Sequence, residues 1–297
     1  EYGGVIPEIA ARDHSAKIIG ILKQLLKQTD HNLEDINLIA YTAGPGLIGS
    51  LMIGETVAKT IANVLNIELL PINHLEGHIL APGLEEGGLE PPYLCLLVSG
   101  GHTQIIRCDD YGEYKIIGET IDDACGEAFD KVGKLLNLEY PGGPKVSKLA
   151  ENGDSKRFKF PRAMMKDKNL NFSFSGLKTS VLYALEDLNE EDHADVAASF
   201  QEAVIDALTT KLMWAVQDTK IHKLVCSGGV ASNKLLRDRL KQMAANNNLE
   251  VSYPRMEFCT DNAAMIAYAG FIRKKFKLPT YPTNFARPRW PLGELYD

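Results

Sequence analysis

Strand-like and helix-like segments follow one another in the same order twice along this chain of 297 residues. Short apolar, β-branched runs predict strands, and apolar residues that recur every three or four positions predict helices. The later part of the chain is predicted to form three strands, several helices, and then strand, helix, strand and helix. The earlier part is predicted to form helix, strand, helix, strand and helix. This is the later pattern without its first three strands, so the sequence predicts a duplicated α/β unit.

Internal duplication of this kind is the plan of the actin, hexokinase and Hsp70 type of fold, in which nucleotide binds between two halves. We therefore expect a first actin-like lobe over residues 1–88, with its opening strands missing, and a second over 89–297. The helix predicted at 261–276 would pack back on the first lobe. A basic helical insertion over about 145–186 belongs to the second. Residues 83–92, rich in Gly, Pro and Glu, are the best candidate for a linker.

Composition restricts the class of protein. No apolar run is long enough to span a membrane, and the first residues lack the basic start and apolar core of a signal peptide. The five cysteines are scattered and form no C-x-x-C motif, which predicts reduced thiols in a cytoplasmic protein. A net charge of −7 argues against a general polycation, although local basic patches can still bind nucleic acid.

Two histidines, His74 and His78, are spaced for one face of a helix, where their Cβ atoms lie about 6 Å apart. Two neutral imidazoles so placed can share one zinc or iron ion. They follow a short apolar strand, and ligand sites in α/β sheets collect at strand carboxyl ends. Asp261, at the start of the last predicted helix, would complete a three-ligand set with open positions. The alternatives are two surface histidines and a carboxylate that caps its helix.

Three glycine-rich junctions follow predicted strands. Two are Ser-Gly-Gly turns, at 99–101 and 227–229, and the third spans 42–46. Glycine lets backbone N–H groups approach phosphate closely, so the three junctions together favour a phosphate-bearing ligand, although each alone is more simply a turn. The duplicated plan predicts that the two Ser-Gly-Gly turns lie on facing loops of one cleft. Neither a P-loop nor a G-x-G-x-x-G motif is present.

Two charged segments have both a functional and a structural interpretation. Four acids, Asp122, Asp123, Glu127 and Asp130, crowd one predicted helix start, where they would bind a cation or a sugar hydroxyl, or complement the helix dipole.

The second segment, residues 145–178, has nine Lys and Arg against three acids, with phenylalanines interleaved. It predicts contacts with nucleic-acid phosphates, with Arg157, Lys159, Arg162 and Lys178 as candidates and residues 273–277 as a second basic candidate. The alternative is a solvated face over core aromatics.

Seven motifs in one order carry a specific resemblance that covers essentially the whole chain. They are HLEGH at 74–78, LVSGGHT at 97–103, GEAFDK at 126–131, YPGGP at 140–144, FSFSGLKT at 172–179, GGVASN at 228–233 and CTDN at 259–262. Together they resemble the tRNA N6-adenosine threonylcarbamoyltransferase family of the bacterial TsaD type, once labelled a sialoglycoprotein endopeptidase. Family members open with an Ile-Glu-Thr-Ser-Cys-Asp type motif that nothing here matches, which agrees with a first lobe truncated at its N-terminus.

The resemblance implies a duplicated actin-like ATPase (ASKHA, ribonuclease H-like) fold with two lobes around a nucleotide cleft. It implies an acyltransferase that moves the threonylcarbamoyl group of threonylcarbamoyl-adenylate to N6 of the adenosine 3′ of the anticodon, in tRNAs reading ANN codons. The implied partners are tRNA, a paralogous TsaB-type subunit and a TsaE-type P-loop ATPase, with no membrane.

The resemblance also implies functions for individual residues. One divalent metal, Fe²⁺ or Zn²⁺, would be held by His74, His78 and Asp261. The residues implied to bind the adenylate substrate are Leu97, Val98, Ser99, Gly100, Gly101, Asp130, Gly143 and Asn233. A general base cannot be named from the residues.

Two rival functions remain open at this point. The first is a metalloendopeptidase that uses the histidine pair, although Glu76 is not directly after the first histidine, where that class carries its general base. The second is a catalytically inactive nucleotide-binding subunit.

Overall fold

A computed structural model gives the structure of the chain and describes residues 6–88, 90–166, 168–281 and 285–296. The first elements are α1 (Pro7–Thr29), β1 (Leu38–Gly44), α2 (Ile48–Leu65), β2 (Glu68–Asn73) and α3 (His74–Leu80). The middle elements are β3 (Tyr93–Val98), β4 (Thr103–Asp110), β5 (Glu113–Glu119), α4 (Cys125–Leu135), α5 (Gly142–Ala150), α6 (Ser175–Leu185), α7 (His193–Thr219), β6 (Lys223–Ser227), α8 (Lys234–Asn247), β7 (Glu250–Ser252) and α9 (Met256–Cys259). The last helix is α10 (Ala263–Lys275), and 3-10 turns lie at Leu33–Asp35, Ala81–Leu84, Glu190–Asp192, Gly229–Ser232 and Leu292–Glu294.

Asparagines set several of the helix ends. Asn73, Asn233 and Asn262 are N-caps whose side chains accept backbone N–H groups from the first turns of α3, α8 and α10. Asn66 and Asn248 end α2 and α8 in the left-handed conformation, which asparagine adopts more readily than most residues. The chain therefore marks these boundaries locally. The predicted helix at 48–65 is accordingly confirmed at both ends.

The chain forms two compact units, one of Glu1–Ala81 with Asn262–Asp297 and one of Pro82–Asp261. The sequence predicts a boundary between the two lobes at residue 88, with residues 89–297 in the second lobe and the last helix packed on the first lobe. In the structure α10 and the residues after it group with the first unit, where α10 contacts β1, β2 and α3.

The second unit is built on a five-stranded sheet in the order β5-β4-β3-β6-β7. The strands β3, β4 and β5 are antiparallel neighbours, and β6 and β7 continue the sheet in parallel with β3. This order and these strand directions are those of the ribonuclease H-like unit of actin-like ATPases. All six residues of β3 are buried because this strand is the centre of the sheet and is covered on both faces.

The first unit repeats the end of that plan. Its strands β1 and β2 are parallel neighbours, and α2 connects them as α8 connects β6 and β7. The helix α10 contacts both strands of this sheet, and α2 contacts them as well. The prediction of a duplicated α/β, actin-like fold is confirmed.

The core of the second unit includes the aromatics of the basic segment. Phe160, Phe172 and Phe174 are buried, and the last two stack with ring centroids 6.1 Å apart. The long helix α7 packs on the same core, where Phe200 meets Phe129 edge to face at 5.1 Å. For these aromatics the structural interpretation is therefore correct.

The structure also describes the cysteines and the apolar character of the helices, which the sequence analysis used to restrict the class of protein. All five cysteines are buried free thiols, and burial is the main reason that the pKa of Cys95 lies well above its usual value. Within the described ranges, no helix is both long enough and apolar enough to cross a membrane.

Candidate functional site

The three predicted metal ligands come together. His74 is the first residue of α3 and His78 lies one turn later, with ring centroids 4.8 Å apart and ring planes at 81°. Asp261 directly precedes Asn262, the N-cap of α10, and α10 contacts α3. One ligand atom from each of the three side chains lies within 4.8 Å of the other two. The i, i+4 spacing and the helix-start carboxylate therefore form one cluster.

This donor set fits a divalent transition metal. Two imidazoles and one carboxylate suit zinc or ferrous iron, and three protein ligands leave positions open for substrate or water. His78 is buried, His74 is half-buried and Asp261 is exposed, so the cluster opens to solvent on the carboxylate side. Such a site is typical of a catalytic or substrate-binding metal rather than a structural one.

Glu76, between the two histidines in sequence, points away from them. A residue two positions along a helix is rotated by about 200°, so Glu76 lies on the opposite face of α3 from both imidazoles. Its carboxylate is fully buried and accepts hydrogen bonds from Arg273 Nη1, at 2.9 Å and 3.2 Å, and from the Tyr281 hydroxyl. Glu76 is therefore not placed to act as the general base of a metalloendopeptidase.

The Ser-Gly-Gly turn between β3 and β4 is exposed at its two glycines. The Ser99 side chain accepts hydrogen bonds from the amides of Gly101 and His102, at 3.3 Å and 3.0 Å, which holds the turn closed. Among the described residues the Gly100 amide donates to no protein atom, so it is the donor of this turn that a ligand can use. A Cβ atom added at Gly100 or Gly101 would meet nothing within 4 Å.

The second Ser-Gly-Gly turn lies beside the first, and our prediction of facing turns is wrong. Gly228 has a φ of +92°, and a Cβ atom there would come 2.3 Å from the carbonyl oxygen of Val98. Both turns belong to the second unit. The physical reason is that β3 and β6 are adjacent parallel strands, whose carboxyl ends meet at one edge of the sheet.

The start of α4 closes on the same turn. The Gly126 amide donates to the Ser99 carbonyl at 3.1 Å, and a Cβ atom on Gly126 would lie 2.7 Å from that oxygen. The Cys125 amide donates to Thr103 Oγ1 at 2.7 Å. The positive end of the α4 dipole therefore lies beside the Ser-Gly-Gly turn, where it favours an anion. Sequence reasoning missed this contact because Gly126 carries no turn signal of its own.

Asp130 and Gly143 are neighbours, as the resemblance implies. Asp130 Oδ1 accepts the amides of Gly142 and Gly143 at 2.8 Å and 3.1 Å, and so caps the start of α5 from α4. In the part of the chain that the structure describes, Asp130 Oδ2 makes no hydrogen bond. One oxygen of this carboxylate is thus structural, and the other is available to a ligand hydroxyl.

Asn233, Leu97 and Val98 are less available than the resemblance implies. The Asn233 amide nitrogen donates to Ser147 Oγ and Gln201 Oε1 at 2.8 Å and 2.7 Å, and its oxygen caps α8. Leu97 and Val98 are fully buried in β3. Their predicted substrate contacts are therefore restricted to their backbone, and the Asn233 side chain already has protein partners.

The four acids near residue 122 each have a protein partner. Asp122 accepts hydrogen bonds from the hydroxyls of Ser173 and Ser175 at the start of α6. Burial alone would raise the pKa of Asp122, but these hydrogen bonds hold it below its usual value. Asp123 and Glu127 both pair with Lys131, at 2.7 Å and 3.0 Å. No cation is needed to explain this cluster, since the fourth acid, Asp130, caps α5 as described above.

Two of the predicted nucleic-acid contacts are engaged within the protein. Arg157 pairs with Asp192 at 2.6 Å and Asp195 at 2.7 Å, and Arg162 pairs with Asp206 at 2.9 Å. Their positive charge is therefore largely offset locally.

The remaining basic candidates differ in exposure. Lys159 is exposed and Lys178 is half-buried, and within the described ranges neither forms an ion pair. Arg273 is buried against Glu76, so the prediction that it contacts nucleic acid is wrong. Its neighbour Lys274 pairs with Glu68 at the surface, at 2.9 Å.

The third glycine-rich junction, at 42–46, is covered by the chain's own C-terminal segment. The Arg287 amide donates to the Ala43 carbonyl at 2.6 Å, and the Gly46 amide donates to Pro288 at 3.2 Å. A Cβ atom at Gly44 would come 1.9 Å from the Arg287 carbonyl oxygen. Glycine is required here for a close backbone approach, so the prediction of a phosphate loop at this junction gives way to the turn interpretation.

Comparison with known proteins agrees with this architecture. A family model described as TsaD, tRNA N6-adenosine threonylcarbamoyltransferase, matches residues 1–268. A structure of full-length HypF in its phosphate- and nucleotide-bound form is 14% identical, with a TM-score of 0.64 over 88% of this chain and 41% of HypF. HypF of T. kodakarensis is 16% identical, with a TM-score of 0.63 over 83% of this chain and 41% of that chain. These likenesses show the fold, and the chain spans about two fifths of the length of the HypF proteins it matches.

Proposed function

The chain belongs to the tRNA N6-adenosine threonylcarbamoyltransferase family, and from that membership we propose its reaction. We propose that it transfers the threonylcarbamoyl group of threonylcarbamoyl-adenylate to N6 of the adenosine 3′ of the anticodon, in tRNAs that read ANN codons. The observation that carries the proposal is the cluster of His74, His78 and Asp261 in a chain whose family match covers residues 1–268.

The proposed metal is one Fe²⁺ or Zn²⁺ held by these three side chains. When bound, such an ion supplies Lewis-acid polarisation of a carbonyl group at its open coordination positions. The residues of the chain orient the ligands. The N-cap Asn73 fixes the start of α3, and the spacing of four residues directs both imidazoles to one side of the helix. Because Asp261 is exposed, substrate can reach the ligand cluster from solvent.

The adenylate is proposed to bind the second unit at the carboxyl edge of β3. In this proposal the Gly100 amide and the positive end of α4 would stabilise the phosphate charge, which increases as AMP leaves. Asp130 Oδ2 would accept a hydrogen bond from a ribose hydroxyl, since Oδ1 already accepts the amides at the start of α5. The likeness to a nucleotide-bound HypF structure supports nucleotide binding by this fold.

The proposed macromolecular partners are tRNA, a paralogous TsaB-type subunit and a TsaE-type P-loop ATPase, and the proposed location is the cytoplasm. The five free thiols support the location. Lys159 and Lys178 are the candidates for tRNA phosphate contacts, because Arg157 and Arg162 already pair with carboxylates.

One experiment separates this function from its two rivals. The purified chain would be given tRNA and threonylcarbamoyl-adenylate carrying labelled threonine, with and without the partner subunits, and a peptide substrate in parallel. Label in tRNA that requires His78, tested with His78→Ala, supports the proposal. Peptide cleavage abolished by metal removal would instead support the endopeptidase. Nucleotide binding without label transfer under any condition would support the inactive subunit.

A further inference from the structure

A buried ion pair lies on the far side of the helix that carries the two histidine ligands. Glu76 of α3 and Arg273 of α10 meet at 2.9 Å, with 0% and 4% of their side chains exposed. Arg273 Nη1 contacts both carboxylate oxygens. The pair therefore joins the helix that carries His74 and His78 to the helix that begins next to Asp261.

Two further residues form hydrogen bonds with this pair. The Tyr281 hydroxyl donates to Glu76 Oε2 and accepts from Arg273 Nη1 at 2.7 Å, and its ring lies 3.8 Å beneath the guanidinium. Arg273 Nη2 donates to the Pro279 carbonyl. Both charges are thus desolvated but bonded on several sides, as a buried ion pair requires.

Such a network adds little to the free energy of unfolding, but it can define the relative position of the two helices. Desolvation of two charges offsets most of their attraction, so apolar residues of equal volume would hold the helices together about as well. A planar guanidinium, however, donates hydrogen bonds to a carboxylate in only a few relative orientations. Helix α3 has seven residues, too few for its own hydrogen bonds to fix it in place. Its position must therefore come from contacts such as this one.

The two helices also approach each other closely at a second place. A Cβ atom on Gly77 would come 2.9 Å from Ile266 Cδ1, so α3 lies against the first turn of α10. Arg273 lies seven residues after Ile266, which places its ion pair about 10 Å further along the axis of α10. The two contacts are separated along α10 but are made by adjacent residues of α3, Glu76 and Gly77, which point about 100° apart around that helix. Together they restrict the rotation of α3 as well as its position. A small slide of α3 would separate the imidazoles from Asp261.

We propose that Glu76, Arg273 and Tyr281 are positioning residues for the metal site: they hold α3 on α10 in the one arrangement in which His74, His78 and Asp261 meet. This inference rests on the metal site of the proposed function. Metal ligands tolerate errors of only about 0.2 Å, so a loosened helix pair should bind the ion more weakly.

Electrostatics and positioning predict opposite results for Arg273→Met. Removing the positive charge that neutralises Glu76 should strengthen the binding of a cation, if charge alone decides. Loss of positioning should weaken it, by about tenfold in Kd, the lower end of the range for residues that orient metal ligands. Arg273→Lys keeps the charge but not the planar fork, and should fall between wild type and Arg273→Met.

The test is a titration of the full chain with Co²⁺ at a temperature well below the melting temperature of every variant. Calorimetry measures the Kd, and the visible absorption of the bound ion reports its coordination. Lys274→Met is the matched control, because it breaks a surface ion pair at the next position of the same helix and should leave Kd and the spectrum unchanged. Tyr281→Phe removes a single hydroxyl and should also weaken Co²⁺ binding. It tests the same role if Arg273→Met does not fold.

The results distinguish the positioning role of these residues from the metal site on which that role depends. Weaker binding and an altered Co²⁺ spectrum in the Arg273 and Tyr281 variants, with wild-type behaviour in Lys274→Met, support the positioning role. Folded Arg273→Met and Tyr281→Phe that bind Co²⁺ as wild type does would overturn it and leave the proposed metal site intact. A wild-type chain that binds no Co²⁺ would overturn the metal site itself.

Discussion

Replacing Gly101 by valine should remove most adenylate affinity and leave folding intact. Gly101 is exposed, its φ lies outside the left-handed region, and an added Cβ meets no atom within 4 Å. The free energy of unfolding should therefore change by no more than about 0.5 kcal/mol. The new side chain would fill the space beside the Gly100 amide, and loss of a hydrogen bond from an amide to a charged phosphate costs about 1.5–3 kcal/mol. The Kd should accordingly rise by about 10-fold to 150-fold.

Calorimetric titration with a non-hydrolysable adenylate analogue measures this Kd, and thermal melting of the same samples measures stability. Gly228→Ala is the contrasting control, because its φ of +92° and the Val98 carbonyl at 2.3 Å leave no room for a side chain. It should lower Tm, since the backbone conformation alone costs about 1–3 kcal/mol. Wild-type affinity in folded Gly101→Val would refute the phosphate site at this turn. A large loss of Tm in Gly101→Val would refute our description of the turn.

Four further predictions follow from the site. His78→Ala should reduce bound metal from about one ion per chain to near zero by elemental analysis, because two ligands hold an ion poorly; equal, near-zero values in both proteins would refute the metal site. Lys159→Gln should weaken tRNA binding and lower the slope of log K against log salt concentration by about one unit. Arg157→Gln should change this slope less, because Arg157 already pairs with two carboxylates. Equal effects of the two variants would refute the assignment of Lys159 rather than Arg157 to tRNA contact. Asn233→Ala should lower stability in denaturant titrations by about 1–2 kcal/mol through loss of a helix cap, and a loss of nucleotide affinity at unchanged stability would contradict this role. Asp122→Ala should cost about 1 kcal/mol at neutral pH. Since the folded pKa of Asp122 is lowered, this difference should persist above about pH 4 and vanish as the pH falls through the lowered pKa.

Local sequence signals predicted many of the helices and strands and the clustering of the candidate metal ligands. The helix at 48–65 has clear apolar periodicity and ends at Asn66, and the spacing of His74 and His78 needs only a helix to bring the rings together. Both signals act within a few residues, where backbone geometry is fixed. They can therefore be interpreted without tertiary structure.

Contacts between distant segments could not be predicted in the same way. Glu76 and Arg273 are 197 positions apart, and nothing in either neighbourhood indicates the other. Gly44 carries the same local signal as a phosphate loop, and only the approach of Arg287 shows that the space is taken. The two Ser-Gly-Gly turns were misplaced because the pairing of β3 with β6 was unknown from sequence.

The discontinuity of the first unit bears on how the protein is made. Pro82–Asp261 is synthesised between the two parts of that unit, which takes on the order of ten seconds at usual translation rates. Until α10 emerges, the face of β1 and β2 that it covers is open, including Ala40, whose Cβ lies 2.7 Å from where a Cβ on Gly270 would be. The nascent chain therefore exposes an apolar sheet face for much of its synthesis. It also carries both imidazoles long before Asp261, so the proposed metal site cannot be complete until Asp261 has been synthesised.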